Sequence, residues 1–398
     1  MKRASIVIFA AAAIVTIAMG VRQSFGLFLP DMSTDLGIGR SEFGLALAMQ
    51  NLLFGFAQPF VGALGDKYGA GRIVAAGTVL YVAGLIGASF AAGAFGLYVS
   101  FGLLVGMSMS ATTFVTVLGA VGRVVPEAKR GMAFGIVTAG GSLGQFLLVP
   151  VGQLFIAELG WRMALIALAG IVAVMLVLAV GVAGKPQAAV AAGPAQSMRE
   201  ALGEAAAHRG FWLLNAGFFV CGFHIAFLAT HFPAYLSDMG LGLSIGATAL
   251  ALVGLFNIFG SYLLGMGADR WSKTRLLSGL YAARGVAMIV FLVLPLTPVT
   301  ALVFAATMGL LWLGTVPLTS GLIGQIFGIR YLSTLYGIVF LSHQVGSFFG
   351  AWSAGLMFDR TGSYDSVWVA SVVLAFAAAA LHLPISERPV VRLRTAEA

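Results

Sequence analysis

Gly62-Ala-Leu-Gly-Asp66-Lys-Tyr-Gly-Ala-Gly-Arg72 returns in outline 203 residues later as Gly265-Met-Gly-Ala-Asp269-Arg-Trp-Ser-Lys-Thr-Arg275. In both copies an Asp follows the first Gly by four residues and precedes an Arg by six. Each copy ends one long apolar segment and begins another, so the chain reads as two halves with basic turns at matching places. A repeat of this kind predicts two pseudo-symmetric bundles around a central pathway. Glycines in such a turn permit a tight reversal and close helix approach. Gly62, Gly65, Asp66 and Arg72 in the first copy, with Asp269 and Arg270 in the second, are read as conformational gating residues. An Asp at a helix end can pair with basic groups or a neighbouring helix N-terminus, and that contact can break as the halves rock.

The rest of the chain is strongly apolar. Of 398 residues 60% are hydrophobic and only 9% charged, with a mean hydropathy of +1.00. A soluble domain carries about 25% charged residues, so this is an all-α polytopic membrane protein. The apolar runs are too long for the strands of a β-barrel, which alternate over about 10 residues. Twelve spans are expected near 5–29, 41–64, 72–92, 95–122, 131–156, 161–184, 210–237, 244–266, 275–295, 299–327, 332–357 and 366–385. The opening Met1-Lys2-Arg3 and apolar run have the outline of a signal peptide. The run, however, contains Arg22 and ends in Pro30-Asp31 without a small-residue cleavage site, so it reads as a retained first helix. The single Cys221 excludes an intramolecular disulfide.

With both termini placed in the cytoplasm, 17 of the 22 Lys and Arg fall on that side. Arg40, Arg162 and Arg360 fall outside, and Arg22 and Arg284 lie within spans. This bias fixes the orientation under the positive-inside rule. The net charge of +8 therefore reflects topology and gives no nucleic-acid footprint. The expected location is a bacterial inner membrane, and the expected state a monomer. A stretch beginning Lys185-Pro-Gln and rich in Ala, Gly and Pro divides six spans from six. The expected division is a six-helix bundle over 1–184, a linker over 185–209, a second bundle over 210–387 and a tail over 388–398.

Function is sought in the polar groups inside the spans. Arg22 lies in the first apolar span with no carboxylate near it, and a guanidinium at bilayer depth costs about 2.5–3.5 kcal/mol. An anion from outside would neutralise it, and the planar fork of Arg suits a carboxylate. Arg284 lies mid-span on the ninth helix and is read either as a pathway residue or as a structural link. All fourteen carboxylates sit at span ends or in loops, so proton coupling falls to histidine, whose ordinary titration range suits it. His224 and His231 are seven residues apart, on nearly one face of the seventh helix, and His343 lies in the eleventh. Neutral groups complete the candidate pocket: Gln23 beside Arg22, Thr112 and Thr116 on helix four, Gln145 and Phe146 on helix five. Asn257 and Ser261 on helix eight and Trp312 and Thr315 on helix ten join them. No Walker motif, Ser/His/Asp arrangement, paired carboxylates or metal-ligand cluster occurs, so neither an enzyme nor a cofactor is expected.

The two Gly-Asp-Arg turns resemble the G-x-L-a-D-r-x-G-r-k-r signature of the major facilitator superfamily, and with twelve spans and a central linker the resemblance covers the chain. It implies two six-helix bundles that alternate access to a midplane site. Several segments resemble the monocarboxylate-transporter and oxalate/formate-antiporter group, in a bacterial branch. These are Gly131-Met-Ala-Phe-Gly135, Gly140-Gly141-Ser142-Leu143-Gly144 with Pro150, Gly160-Trp161-Arg162, Cys221-Gly-Phe-His224 through His231-Phe-Pro-Ala-Tyr235, and Ser342-His343-Gln344-Val-Gly346 through Asp359. That group carries a lysine on the first helix close to Arg22, where it contributes to anion and proton handling. Its oxalate-type members supply a cation from the region of His343. Its eighth-helix cation falls here on Ser261 and the acidic partner on Asn257, a departure from the pattern.

The reading is a secondary transporter that moves a small, monocarboxylate-type organic anion by proton-coupled symport. The alternative is an organic-anion exchanger or exporter without a dedicated proton site, followed by a drug/proton antiporter. The expected partners are the anion, protons and the lipid bilayer.

Overall fold

In hydrocarbon every backbone N–H and C=O must be satisfied within the protein, so long apolar runs can cross only as helices. The structure, a computed structural model, describes residues 2–125, 127–184, 197–328 and 331–391. The side chains of 2, 3, 63, 66, 115, 123, 127–132, 269 and 333 lie outside that description, and with them the gating contacts expected of Asp66 and Asp269. Residues 185–196 of the expected linker and 392–398 of the expected tail also fall outside it.

The first pass runs over Lys2–Gln23, tightens to a 3-10 turn at Phe25–Phe28 and ends as Leu29–Leu36. Two local causes set this bend: the Ser24 hydroxyl bonds back to Val21 O at 2.7 Å, and Pro30 has no N–H to continue the ladder. The second and third passes are Arg40–Tyr68 and Ala70–Ser89, reversed at Gly69 with φ 91°. The fourth combines Ala94–Leu97, a π-helical Tyr98–Val105, Gly106–Thr112 and Phe114–Val124. The fifth and sixth share Glu127–Gly181, which turns at Gly160 with φ 74°. The remaining passes are Arg209–Asp238, Leu243–Arg270, Lys273–Val293, the pair Pro298–Leu310 and Thr315–Phe327, Leu332–Thr361 and Asp365–His382. Ten helical segments among the described residues are long and apolar enough to cross a membrane. One of them, Ala133–Gly181, holds two passes, and Leu332–Thr361 with its Ser342-His343-Gln344 step makes the twelfth.

Two spans expected to be continuous are interrupted. The fourth opens at Thr113, which is extended, and the Thr112 and Thr113 hydroxyls bond back to Ser108 O and Met109 O. The tenth opens between Leu310 and Thr315, where Pro317 can supply no N–H to the preceding turn. A short helix, Met198–Ala207, starts from a Ser197/Glu200 capping box inside the stretch expected as linker.

Buried apolar side chains form two large clusters. One is drawn almost entirely from residues 7–182, the other from 205–385. The offset of 203 also holds inside the bundles. Tyr81 donates to Ala18 O at 3.0 Å, and Arg284 donates to Cys221 Sγ at 3.5 Å; both members of the second pair are those of the first displaced by 203.

Small residues bring backbones together. A Cβ on Gly20 of the first helix would lie 2.5 Å from Gly144 O of the fifth. Gly20→Val is accordingly expected to cost about 1–3 kcal/mol through overpacking, read as a lower melting midpoint of the purified protein. An unchanged midpoint would contradict this packing.

The halves meet through the second and eleventh helices, the fifth and eighth, and the Phe25–Phe28 turn against the seventh. Gly254 of the eighth packs on Ser142, Gln145 and Phe146 of the fifth, and Gly55 of the second on the Gln344 side chain of the eleventh.

Candidate functional site

Arg22 stands in the last turn of the straight part of the first helix, just before the Ser24 bend. Arg22 is half-buried as a residue, and its guanidinium donates to Asn51 Oδ1 on the second helix and lies 5.8 Å from the Phe54 ring centre. Among the described residues it has no carboxylate partner. Phe54 meets Phe340 of the other half edge-on at 5.8 Å, and Phe340 stacks on His343 at 5.6 Å. His343 Nδ1 donates to Gln344 Oε1 at 3.2 Å. A row of side chains thus runs from Arg22 to His343 across the junction of the halves.

A second set lies on the fifth, eighth and tenth helices. Gln145 Nε2 donates to Leu250 O at 2.9 Å, and Gln23 Nε2 approaches Gln145 Oε1 at 3.5 Å. Asn257 Nδ2 donates to Ser142 Oγ at 2.8 Å, while its Oδ1 accepts from Leu313 N at 3.0 Å and from Ser261 Oγ at 3.1 Å. Asn257 therefore ties the open tenth helix to the opposite half. Phe146, next to Gln145, is partly buried beside Gly254.

Arg284 is placed differently. It is 0% exposed, and its Nε and Nη2 donate to Leu311 O at 3.0 and 2.6 Å and Nη2 also to Trp312 O. The guanidinium closes the carbonyl end of the interrupted tenth helix, whose amide at Leu313 is held by Asn257. Thr315 lies 3.3 Å from Cys221 Sγ, and Trp312 is buried. Arg284 thus links helices nine and ten through the Leu311 and Trp312 carbonyls.

The histidines separate as well. His224 Nε2 donates to Ser371 O of the twelfth helix at 2.9 Å. His231 Nε2 donates to Ala351 O at 2.7 Å, so its Nδ1 accepts the Tyr364 hydroxyl at 3.0 Å. Both are fully buried in the second half, and His343 alone joins the row that begins at Arg22. Thr112 and Thr116 turn their hydroxyls onto carbonyls of their own helix, Ser108 O and Ser110 O.

Sequence reading missed a charged cluster that joins the halves on the face remote from the termini. Arg40 makes two bonds to Asp238, at 2.6 and 2.8 Å, and one to Tyr364 Oη at 2.9 Å. Asp359 accepts from the backbone N of Arg40 and Ser41 at 2.9 and 2.8 Å. Opposite charges at the ends of helices two, seven and eleven, in a chain with so few charges, are the signal that could have found it. Because the pair is partly solvated (13% and 35% exposed), its weight is about 1 kcal/mol. Asp238→Asn should therefore shift the open population about fivefold. The readout is labelling by a membrane-impermeant maleimide of Thr230→Cys, buried beside Gly26 two turns before Asp238, in a Cys221→Ser background. Unchanged labelling would show that this ion pair does not hold the face shut.

Residues 8–351 match the family model described as Major Facilitator Superfamily. The Bacillus subtilis (strain 168) protein "Uncharacterized MFS-type transporter YcxA" is 26% identical over 377 residues, covering 91% of this chain and 90% of the relative. Human "Monocarboxylate transporter 11" is 28% identical over 407 residues, covering 95% and 82%. Rat "Monocarboxylate transporter 13" is 25% identical, covering 92% and 86%. A bacterial homolog of the human lysosomal transporter Spinster, solved in an inward-facing and unoccupied conformation, has a TM-score of 0.76 at 16% identity over 96% of both chains, a likeness of fold.

Proposed function

The chain belongs to the major facilitator superfamily of transporters, and from that premise we propose that it carries a small organic anion of monocarboxylate type, by alternating access and with proton coupling. The observation that carries this reading is Arg22: a guanidinium where the halves meet, with one neutral partner and no carboxylate among the described residues. A guanidinium has five donors, and most of these remain for a ligand. The monocarboxylate transporters among the relatives support the solute class.

In this reading the bundles 1–184 and 210–387 rock about the site with both termini in the cytoplasm. The Arg40–Asp238 seal then shuts the outer face while the anion reaches Arg22 from the cytoplasmic side. Asn51, Gln145, Asn257 and Ser261 shape the pocket, and Asn257 passes movement of the tenth helix to Ser142. His343 carries the proton, being the histidine in the row that begins at Arg22.

The test is uptake by proteoliposomes across a panel of short carboxylates. Symport predicts saturable uptake driven by an inward proton gradient, and absence of saturable flux for every carboxylate would refute the carrier. The second reading is an anion exchanger without a proton site. It is favoured by the carbonyl bonds that occupy His224 and His231, and it predicts that only trans-side anion accelerates flux.

A further inference from the structure

A groove of about 460 Å³ lies in the second half between the seventh, eleventh and twelfth helices, away from the Arg22 site. Its walls include Trp212, Ala216 and Phe219 of the seventh helix, Ser342 of the eleventh, and Leu374 and Ala377 of the twelfth. Trp212 and Ala377 are exposed, and so are the neighbouring Val373 and Phe376, so the groove faces hydrocarbon rather than the pathway.

Positions 212, 216 and 219 fall on one helical face, and three residues before Trp212 the same face carries Arg209. Arg209 is exposed in the first turn of the helix, at the end where the chain termini lie, and has no carboxylate partner among the described residues. The nearby acid Glu200 is folded back onto Ser197 N at 2.8 Å, and Glu204 is engaged as well. Trp212 Nε1 donates to Ala206 O at 2.8 Å, which fixes the short helix Met198–Ala207 beside this end of the groove. An apolar trough one helical turn above an unpaired cation at the bilayer edge matches a lipid with an acyl chain and an anionic headgroup.

We propose that this groove is a binding site for an anionic phospholipid, with one acyl chain along Ala216, Phe219 and Ala377 and the headgroup phosphate on Arg209. The site is independent of the solute carried.

The test compares phosphatidylglycerol with phosphatidylcholine on the full-length protein, by native mass spectrometry of retained lipid. Melting in detergent shows that each variant is folded. Phosphatidylglycerol is expected to be retained over phosphatidylcholine, and Arg209→Gln should lower that preference about fivefold, the weight of one basic residue at an anionic surface. Ala377→Trp, which fills the trough, should remove the retained lipid while Arg209 is intact. Val180→Trp, in the groove between the first and sixth helices, serves as the control and should change nothing. Equal retention of the two lipids by the parent, or parent-level phosphatidylglycerol on both Arg209→Gln and Ala377→Trp, would overturn the proposal. Inorganic phosphate that competes as well as the lipid would show a headgroup site without a chain and would also overturn it.

Discussion

Arg22→Gln is expected to lower anion uptake about 30-fold or more while the protein folds and melts as well as the parent. Truncating one partner of a desolvated charge pair costs about 2–5 kcal/mol, which is the origin of the factor. Folding survives because the charge itself is a burden: removing it returns about 2.5–3.5 kcal/mol of insertion cost. The glutamine amide can still donate toward Asn51 Oδ1. Arg22→Lys should fall between, since an ammonium keeps the charge but loses the two-pronged geometry. Parent-level uptake by Arg22→Gln would make Arg22 a structural residue.

Arg284→Met should do the reverse, failing in the fold before transport can be measured. Its three bonds to Leu311 O and Trp312 O are charge-assisted, and each is worth about 1.5–3 kcal/mol net. Their sum exceeds the about 2.5–3.5 kcal/mol returned by taking the charge out of the bilayer. The carbonyls of the open tenth helix would also be left without donors in a dry interior. Expected are a midpoint well below the parent or loss of monodisperse protein in detergent. Parent-like melting with lost transport would move Arg284 from the scaffold into the pathway. The two intramembrane arginines differ by geometry, one with donors to spare and one with its donors committed to the chain, and these variants are expected to separate them.

Much of this fold was legible because bilayer physics leaves so few choices. The length of the apolar runs gave twelve passes whose ends agree with the structure to about four residues, except the first, which continues past residue 29 to Leu36. The repeat of the Gly-Asp-Arg turns predicted a register that reappears in the Tyr81–Ala18 and Arg284–Cys221 contacts. The breaks in helices four and ten were not legible. Thr112-Thr113 and Pro317 are compatible with a continuous membrane helix, and only the partners supplied by other helices, Arg284 and Asn257 at the tenth, decide otherwise.

For the candidate site, sequence alone shows that Arg22 has no acid at its depth. That Asn51 accepts from it, or that Phe54 meets Phe340 and so leads to His343, depends on how two bundles dock. Helical spacing put His224 and His231 on one face but could not say that the face turns to Ser371 and Ala351. The charged cluster was hidden for the same reason: Arg40 is 198 residues from Asp238 and 319 from Asp359.

The most direct test of the central claim is ligand-induced stabilisation of the purified parent and Arg22→Gln by small mono- and dicarboxylates. It is best run at pH about 5.5 and about 7.5, either side of the ordinary histidine range. A ligand that binds only the folded state raises its melting midpoint, and the shift grows with the logarithm of ligand concentration above Kd. A shift by monocarboxylates, greater at the lower pH and absent in Arg22→Gln, is the predicted result. Equal shifts in parent and variant, or none with any anion, would contradict an anion site at Arg22.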